Sequence, residues 1–145
     1  MEIREMRSQD TESISHLYVS VFSNPPWNET WQYDWAYERL NWVYRAQGFR
    51  GFVAIESDRL IGAILGHDVP FKGKKEFQIV EFFVDCDRQN KGIGTNLLLE
   101  LKSELRENNC DFTFLLTSKD TSIESFYLKR NYERDNKLVL LRQKI

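Results

Sequence analysis

Polar and apolar side chains alternate from Glu2 to Met6, the period-two signature of a half-buried strand. The period then changes. Ile14, Leu17, Val21 and Phe22 recur at helical spacing behind Ser8, a residue type that caps helices, so a helix is predicted after the first strand. Asn24-Pro25-Pro26 ends it, and an aromatic-rich helix is predicted from about Thr30 to Gln47, with Gly48 as its stop signal. Phe52 to Glu56 and Leu60 to Leu65 are short apolar runs around Ser57-Asp58-Arg59, which reads as a hairpin. A polar loop around Lys72-Gly73-Lys74-Lys75 precedes another apolar run, Phe77 to Val84. Asp85 to Lys91 breaks that strand. From Gly92 onward Ile93, Leu97, Leu101 and Leu105 recur at intervals of four, which predicts a helix to about Asn108. A strand at Phe112 to Leu116, a helix from about Ser122 to Arg130 and a last strand at Leu138 to Leu141 complete the order βααβββαβαβ. Strands mixed with helices in this order predict an α/β (α+β) sandwich with a partly antiparallel sheet.

A chain of 145 residues fits one domain, 1–145, with a core that needs no metal or disulfide staple. The cysteine count is only two, Cys86 and Cys110, so a secreted disulfide scaffold is not expected and the reducing cytoplasm is. No apolar run approaches the roughly 18 residues of a membrane span, and Met1 to Asp10 is charged throughout rather than leader-like. Neither a membrane nor a nucleic acid is an expected partner, because 20 basic residues against 22 acidic leave no basic excess. His16 and His67 lack paired ligand spacing, so no metal site is expected. Cys86 could carry an acyl group covalently or be an ordinary exposed thiol; no histidine lies near it in sequence.

The most informative stretch is Glu81-Phe82-Phe83-Val84-Asp85-Cys86-Asp87-Arg88-Gln89-Asn90-Lys91-Gly92-Ile93-Gly94-Thr95. An apolar strand feeds a basic, glycine-containing turn that opens into an amphipathic helix. Such a turn suits phosphate: glycines permit close backbone approach, the first helical N–H groups are unpaired, and the helix end carries roughly half a positive charge. A Walker loop would end Gly-Lys-Ser/Thr, whereas Lys91 precedes the glycine; a dinucleotide fingerprint would need a third glycine where Leu97 stands. The remaining pattern, Gln89-x-x-Gly92-x-Gly94 after a strand ending in valine, resembles the acyl-CoA pyrophosphate loop of the GNAT superfamily of N-acetyltransferases. Asp120 to Tyr132 resembles that superfamily's second signature: Phe126-Tyr127 match, Asn131 stands in for a glycine, and Asp120 for an asparagine that contacts the pantetheine arm. The element order is similar too, so the resemblance spans the whole chain and implies a three-layer sandwich with a mixed, mostly antiparallel central sheet flanked by helices.

The resemblance implies acetyl-CoA as co-substrate and no metal. Phe83, Val84, Arg88, Gln89, Asn90, Lys91, Gly92, Ile93, Gly94 and Thr95, with Asp120 and Tyr127, become candidate cofactor-binding residues. Tyr127 is implied as the acid that protonates the leaving thiolate, since a phenol with a pKa of about 10 is protonated at neutral pH. Glu81, on the strand entering the turn, is either the base that receives the acceptor's proton, directly or through water, or a solvated strand carboxylate. The oxyanion would fall to a backbone N–H near Val84. The acceptor site is implied beside the first two helices, which makes Trp27, Trp31, Glu29 and His67 candidate substrate contacts; Trp27, Trp31, Tyr33 and Trp35 are read as part core and part pocket wall, and Glu29, Asp34, Glu38 and Asp68 either attract a cationic amine or form a solvated face. A primary amine is the implied acceptor, a small cationic one resembling a polyamine or aminoglycoside. A peptide amine, or a non-catalytic acyl-CoA-sensing module, is the alternative. A monomer or homodimer is expected.

Overall fold

In the computed structural model, which describes residues 1–145, four strands run as an antiparallel meander and a fifth joins in parallel. The strands are β1 (Glu2–Glu5), β2 (Phe49–Glu56), β3 (Arg59–Phe71), β4 (Lys74–Val84) and β5 (Phe112–Phe114), in sheet order β1-β2-β3-β4-β5. The helices are α1 (Asp10–Phe22), α2 (Tyr33–Tyr44), α3 (Ile93–Glu107) and α4 (Ser122–Leu128). The chain divides into two compact units, Met1–Leu115 and Leu116–Ile145. The first holds the whole sheet with α1, α2 and α3; the second holds α4.

Strand alternation builds three layers in the first unit. Ala63 and Leu65 on β3, Val53 on β2 and Phe83 on β4 form one core with Ile14, Tyr18, Val21, Ala36, Leu40 and Val43 of α1 and α2. The alternate residues face α3. A Cβ on Gly62 would meet Leu97 of α3 at 3.2 Å, so the absent side chain allows the close approach of helix and strand. Leu97, Leu98, Leu101 and Leu105 bury the α3 stripe, as its period requires.

The first turn of α1 shows why that helix starts where it does. Ser8 is not its cap. Asp10 instead accepts the Arg7 N–H at 2.7 Å and takes Arg4 in a bidentate grip, at 2.8 and 3.0 Å. Burial opposes ionisation of Asp10, but the Arg4 hydrogen bonds and the Arg7 N–H outweigh it and hold its carboxyl below the ordinary range. The stability this supplies is present above the unfolded value of 3.8 and lost as pH falls through the lower folded value. Asp10→Ala is therefore expected to cost about 2 kcal/mol at pH 7. Urea melts at pH 7 and again in acid check this, because the gap to wild type closes on acidification; an equal gap in acid would refute the charge-based account.

Several element boundaries depart from the sequence expectation. α2 begins at Tyr33 rather than Thr30 and ends at Tyr44. β2 begins at Phe49, ahead of the expected Phe52. The polar stretch at residues 72–75 is not a loop but the tip of a long β3–β4 hairpin, since Lys72 and Gly73 both take positive φ (51° and 74°), as a tight hairpin turn requires. His67 consequently lies within β3. The last predicted strand, Leu138–Leu141, is not among the elements of the second unit, whose one helix is α4. Apolar, β-prone residues make a strand only where a ladder partner meets them.

Candidate active site

β4 is the spine of the site. β5 pairs with it only at Glu76–Phe112, Phe77–Thr113 and Gln78–Phe114. Its pairing with β5 stops at Gln78, while β4 itself runs on to Val84. On its other edge β4 carries a bulge: Leu65 opposes Glu81 and Gly66 opposes Ile79, which leaves Val80 as the extra residue. Only glycine fits opposite, for a Cβ on Gly66 would lie 2.0 Å from the Gln78 carbonyl oxygen. Beyond the bulge, Glu81 and Phe83 face α1 and α2.

Glu81 is buried in an otherwise apolar setting, and its side chain is only 9% exposed. Its Oε1 accepts two hydrogen bonds, one from the Tyr18 hydroxyl on α1 at 3.2 Å and one from Arg39 Nε on α2 at 2.8 Å. Burial pushes the Glu81 carboxyl above the ordinary glutamate range, the Arg39 and Tyr18 donors pull against that, and Glu29 adds a push upward. Burial and the Glu81 charge also push the Tyr18 hydroxyl well above the ordinary phenol value, so Tyr18 stays a donor. Its ring is fixed edge-on against Trp31 at 4.8 Å and Phe83 at 5.3 Å between centroids. Glu81 is thus not a solvated strand carboxylate. It is a buried acid with two designated partners.

The glycine turn follows β4 directly. Asp85 accepts from the Asp87 N–H at the start of a short 3₁₀ turn, Cys86–Arg88, and Gln89 Nε2 donates back to the Val84 carbonyl at 3.0 Å. Two ion pairs brace the turn to the β2–β3 hairpin: Arg88 Nε to Glu56 at 2.8 Å, and Arg59 to Asp85. The charge of Arg88 is therefore shared with Glu56, leaving the exposed Lys91 as the less committed cation. Asn90 and Gly92 adopt left-handed φ of 61° and 82°, and a Cβ on Gly92 would meet nothing within 4 Å. Ile93 is buried and anchors the first turn of α3, while the N–H groups of Ile93 and Gly94 open a 15-residue helix with no intrahelical acceptor. Open space beside unpaired donors at a helix N-terminus fits the phosphates of acetyl-CoA.

The second unit holds Asp120 and Tyr127. Thr121 caps α4 by accepting the Glu124 N–H at 3.2 Å. Arg134 clasps Glu124 (Nε to Oε2, 2.6 Å) and Asp120 (2.7 Å), and with the Asp120 N–H it holds the Glu124 carboxyl at about 2. Asp120, which stands at the signature's asparagine, is thereby an ion-pair partner inside its own unit. Tyr127 is buried, with its ring edge-on to Phe126 (5.3 Å) and Tyr132 (5.4 Å).

Of the remaining candidates, Trp27 packs on Phe22 at 4.9 Å and Trp31 on Tyr18, with Trp31 Nε1 3.5 Å from Glu29 Oε1, so these three gather on the Glu81 side of the sheet. His67 does not join them; its Nδ1 lies 3.1 Å from the Asp68 carbonyl. Trp35 is largely exposed. His16 stacks on Tyr33 at 4.4 Å. Burial, Asp85 and Asp87 push the Cys86 thiol up, the wrong direction for a nucleophile. Sequence reading missed Tyr18 and Arg39. Both had a local signal: Tyr18 stands four after Ile14 and three before Val21 on the buried stripe of α1, and Arg39 adjoins the Ala36–Leu40–Val43 stripe of α2.

Comparison with known proteins agrees with this architecture. An uncharacterized protein of Bacillus subtilis, YdhI, is 32% identical over 93 residues; the match covers 63% of this chain and 54% of that relative, so the chain spans about half the length of the curated relative it matches. Among solved structures, a ribosomal-protein-alanine N-acetyltransferase from Brucella melitensis superposes with a TM-score of 0.76 at 16% identity, covering 98% of both chains. An aminoglycoside acetyltransferase from an uncultured soil metagenomic sample, in complex with sisomicin, does so with a TM-score of 0.76 at 18% identity, covering 99% of this chain and 95% of that one. At such identities the likeness is one of fold. The description "Acetyltransferase (GNAT) family" matches residues 11–134, nearly the whole sheet-and-helix framework, and the chain belongs to that family.

Proposed function

We propose that this protein is an acetyl-CoA-dependent N-acetyltransferase that acylates a primary amine, a small cationic one, by direct attack in a ternary complex. The observation that carries the reading is the buried Glu81 carboxylate, set on a bulged strand whose end leads into the glycine turn. Acetyl-CoA supplies the activated acetyl thioester. The turn from Gln89 to Thr95 holds its phosphates with backbone N–H groups, and the acyl oxygen falls to a backbone N–H near Val84. Glu81 takes the proton of the acceptor ammonium, directly or through water. The likeness of Phe126-Tyr127 to the family's second signature is what assigns Tyr127 the return of a proton to the departing sulfur.

The acceptor class follows from charge and surface. The site sets two carboxylates, Glu81 and Glu29, against the single cation Arg39, with the rings of Tyr18 and Trp31 beside them. Two carboxylates against one guanidinium leave a net negative site, and aromatic faces add cation–π attraction of about 0.5–2 kcal/mol. The elevated Cys86 thiol supports direct transfer over a covalent acyl-enzyme.

Thiol release from acetyl-CoA, followed against spermidine, kanamycin, free amino acids and peptides, tests the reading. Acetylation of the first two classes is expected. Tight CoA binding with no transfer to any amine would make the chain a sensing module, and transfer only to peptides would overturn the acceptor class. Gly92→Val tests the turn. A β-branched residue at φ of 82° is strained by about 1–2 kcal/mol, so the turn is expected to open and CoA affinity to fall about tenfold or more while the fold survives. Calorimetry giving wild-type affinity in the folded variant would refute the assignment.

A further inference from the structure

Glu81 receives both its donors on one oxygen. Tyr18 and Arg39 converge on Oε1 from two different helices, while Oε2 takes no hydrogen bond from the protein. Each donor is itself held. The Tyr18 ring is wedged between Trp31 and Phe83, and Arg39, whose side chain is 42% exposed, rests its guanidinium 5.3 Å from the centre of the Trp42 ring. We propose that Tyr18 and Arg39 are positioning residues that grip Oε1 of Glu81, keeping the buried carboxylate ionised and presenting Oε2 to the acceptor amine, with Trp42 holding Arg39 in place. The inference rests on the acetyltransferase reading and names residues that neither glycine signature contains.

The physical case is one of competing terms. A carboxylate this buried is driven toward its neutral form, and a neutral acid cannot receive a proton. The charged and polar groups facing it are few: Tyr18 from α1, Arg39 from α2, and Glu29 from the segment between those helices, which opposes ionisation. Arg39 is the only cation among them, so it decides the balance. A guanidinium also suits the position because its planar Nε–H has a fixed direction, whereas an ammonium on a flexible stem does not. Removing Tyr18's hydroxyl takes away one neutral donor, a smaller effect than removing a charge.

The test reads the Glu81 proton directly. In the 145-residue chain, labelled at the glutamate side-chain carboxyl carbon and assigned with Glu81→Gln, an NMR titration gives the midpoint of Glu81. Arg39→Gln is expected to raise it by about 1–3 pH units, Tyr18→Phe by less, and Arg39→Lys to recover part of the wild-type value. A midpoint in Arg39→Gln equal to wild type would overturn the proposal, as would an Arg39→Lys midpoint as high as that of Arg39→Gln. With the amine that gives the fastest thiol release in the screen as acceptor, the acid limb of kcat/KM is expected to move upward by the same interval in Arg39→Gln, with CoA affinity unchanged; a stationary limb also overturns it. Failure of the underlying reading looks different. There the wild-type protein itself acetylates no amine, while the titration still decides whether the grip on Glu81 exists.

Discussion

Glu81→Gln is expected to lower kcat by about 10²–10⁴-fold while leaving the affinity for acetyl-CoA unchanged. A lysine-like ammonium with a pKa of about 10.4 costs about 4.6 kcal/mol to deprotonate at pH 7, and in the proposed reaction Glu81, a buried carboxylate of β4, receives that proton. Glutamine keeps the shape and one hydrogen-bonding oxygen for Tyr18 and Arg39, so loss of rate is separable from loss of fold. The same substitution has a signed effect on stability. Because burial lifts the folded value of Glu81 above 4.5, the folded state holds a proton that the unfolded state releases, and stability falls as pH rises through that interval. The substituted amide does not titrate, and Arg39 is exposed enough to remain hydrated when its partner is neutral. Thermal melts across pH should therefore move in favour of the glutamine variant as the pH climbs, an instance of an active site kept at the expense of stability. A kcat unchanged under conditions where chemistry limits the rate would remove Glu81 from the mechanism. A stability gap that widens toward acid would contradict the sign of its shift.

What could be read from the sequence divides by contact distance along the chain. The α3 stripe and the turn before it were legible because their signals are local: Leu97, Leu101 and Leu105 recur at helical spacing, and Gly92 stands where a left-handed φ is needed. Glu81 was legible as a strand residue entering that turn, but its environment was not. Its partners lie 63 and 42 residues away, on helices whose orientation no local pattern specifies. The bulge at Val80 decides which face Glu81 occupies, and strict alternation cannot anticipate an inserted residue. The β3–β4 hairpin was misread for a related reason. Its tip is built from Lys72 and Gly73 in positive φ, and lysine is a weak advertisement of such a turn.

Tyr127→Phe carries the second large effect. Tyr127 lies on α4 in the Phe126-Tyr127 pair of the second family signature, buried and with its ring pinned edge-on by Phe126 and Tyr132. Phenylalanine reproduces that packing, so the substitution removes one hydroxyl and costs the fold only about 1 kcal/mol. If that hydroxyl protonates the sulfur as the thioester breaks, its worth is realised in the transition state and not in ground-state binding. The expected result is a kcat lower by about 10²–10⁴-fold, with the CoA dissociation constant and the amine KM close to wild type. Single-turnover measurements, with enzyme in excess of acetyl-CoA and the amine saturating, separate chemistry from product release. A single-turnover rate equal to wild type would show that the sulfur leaves without help from Tyr127, and would reassign that ring to packing alone.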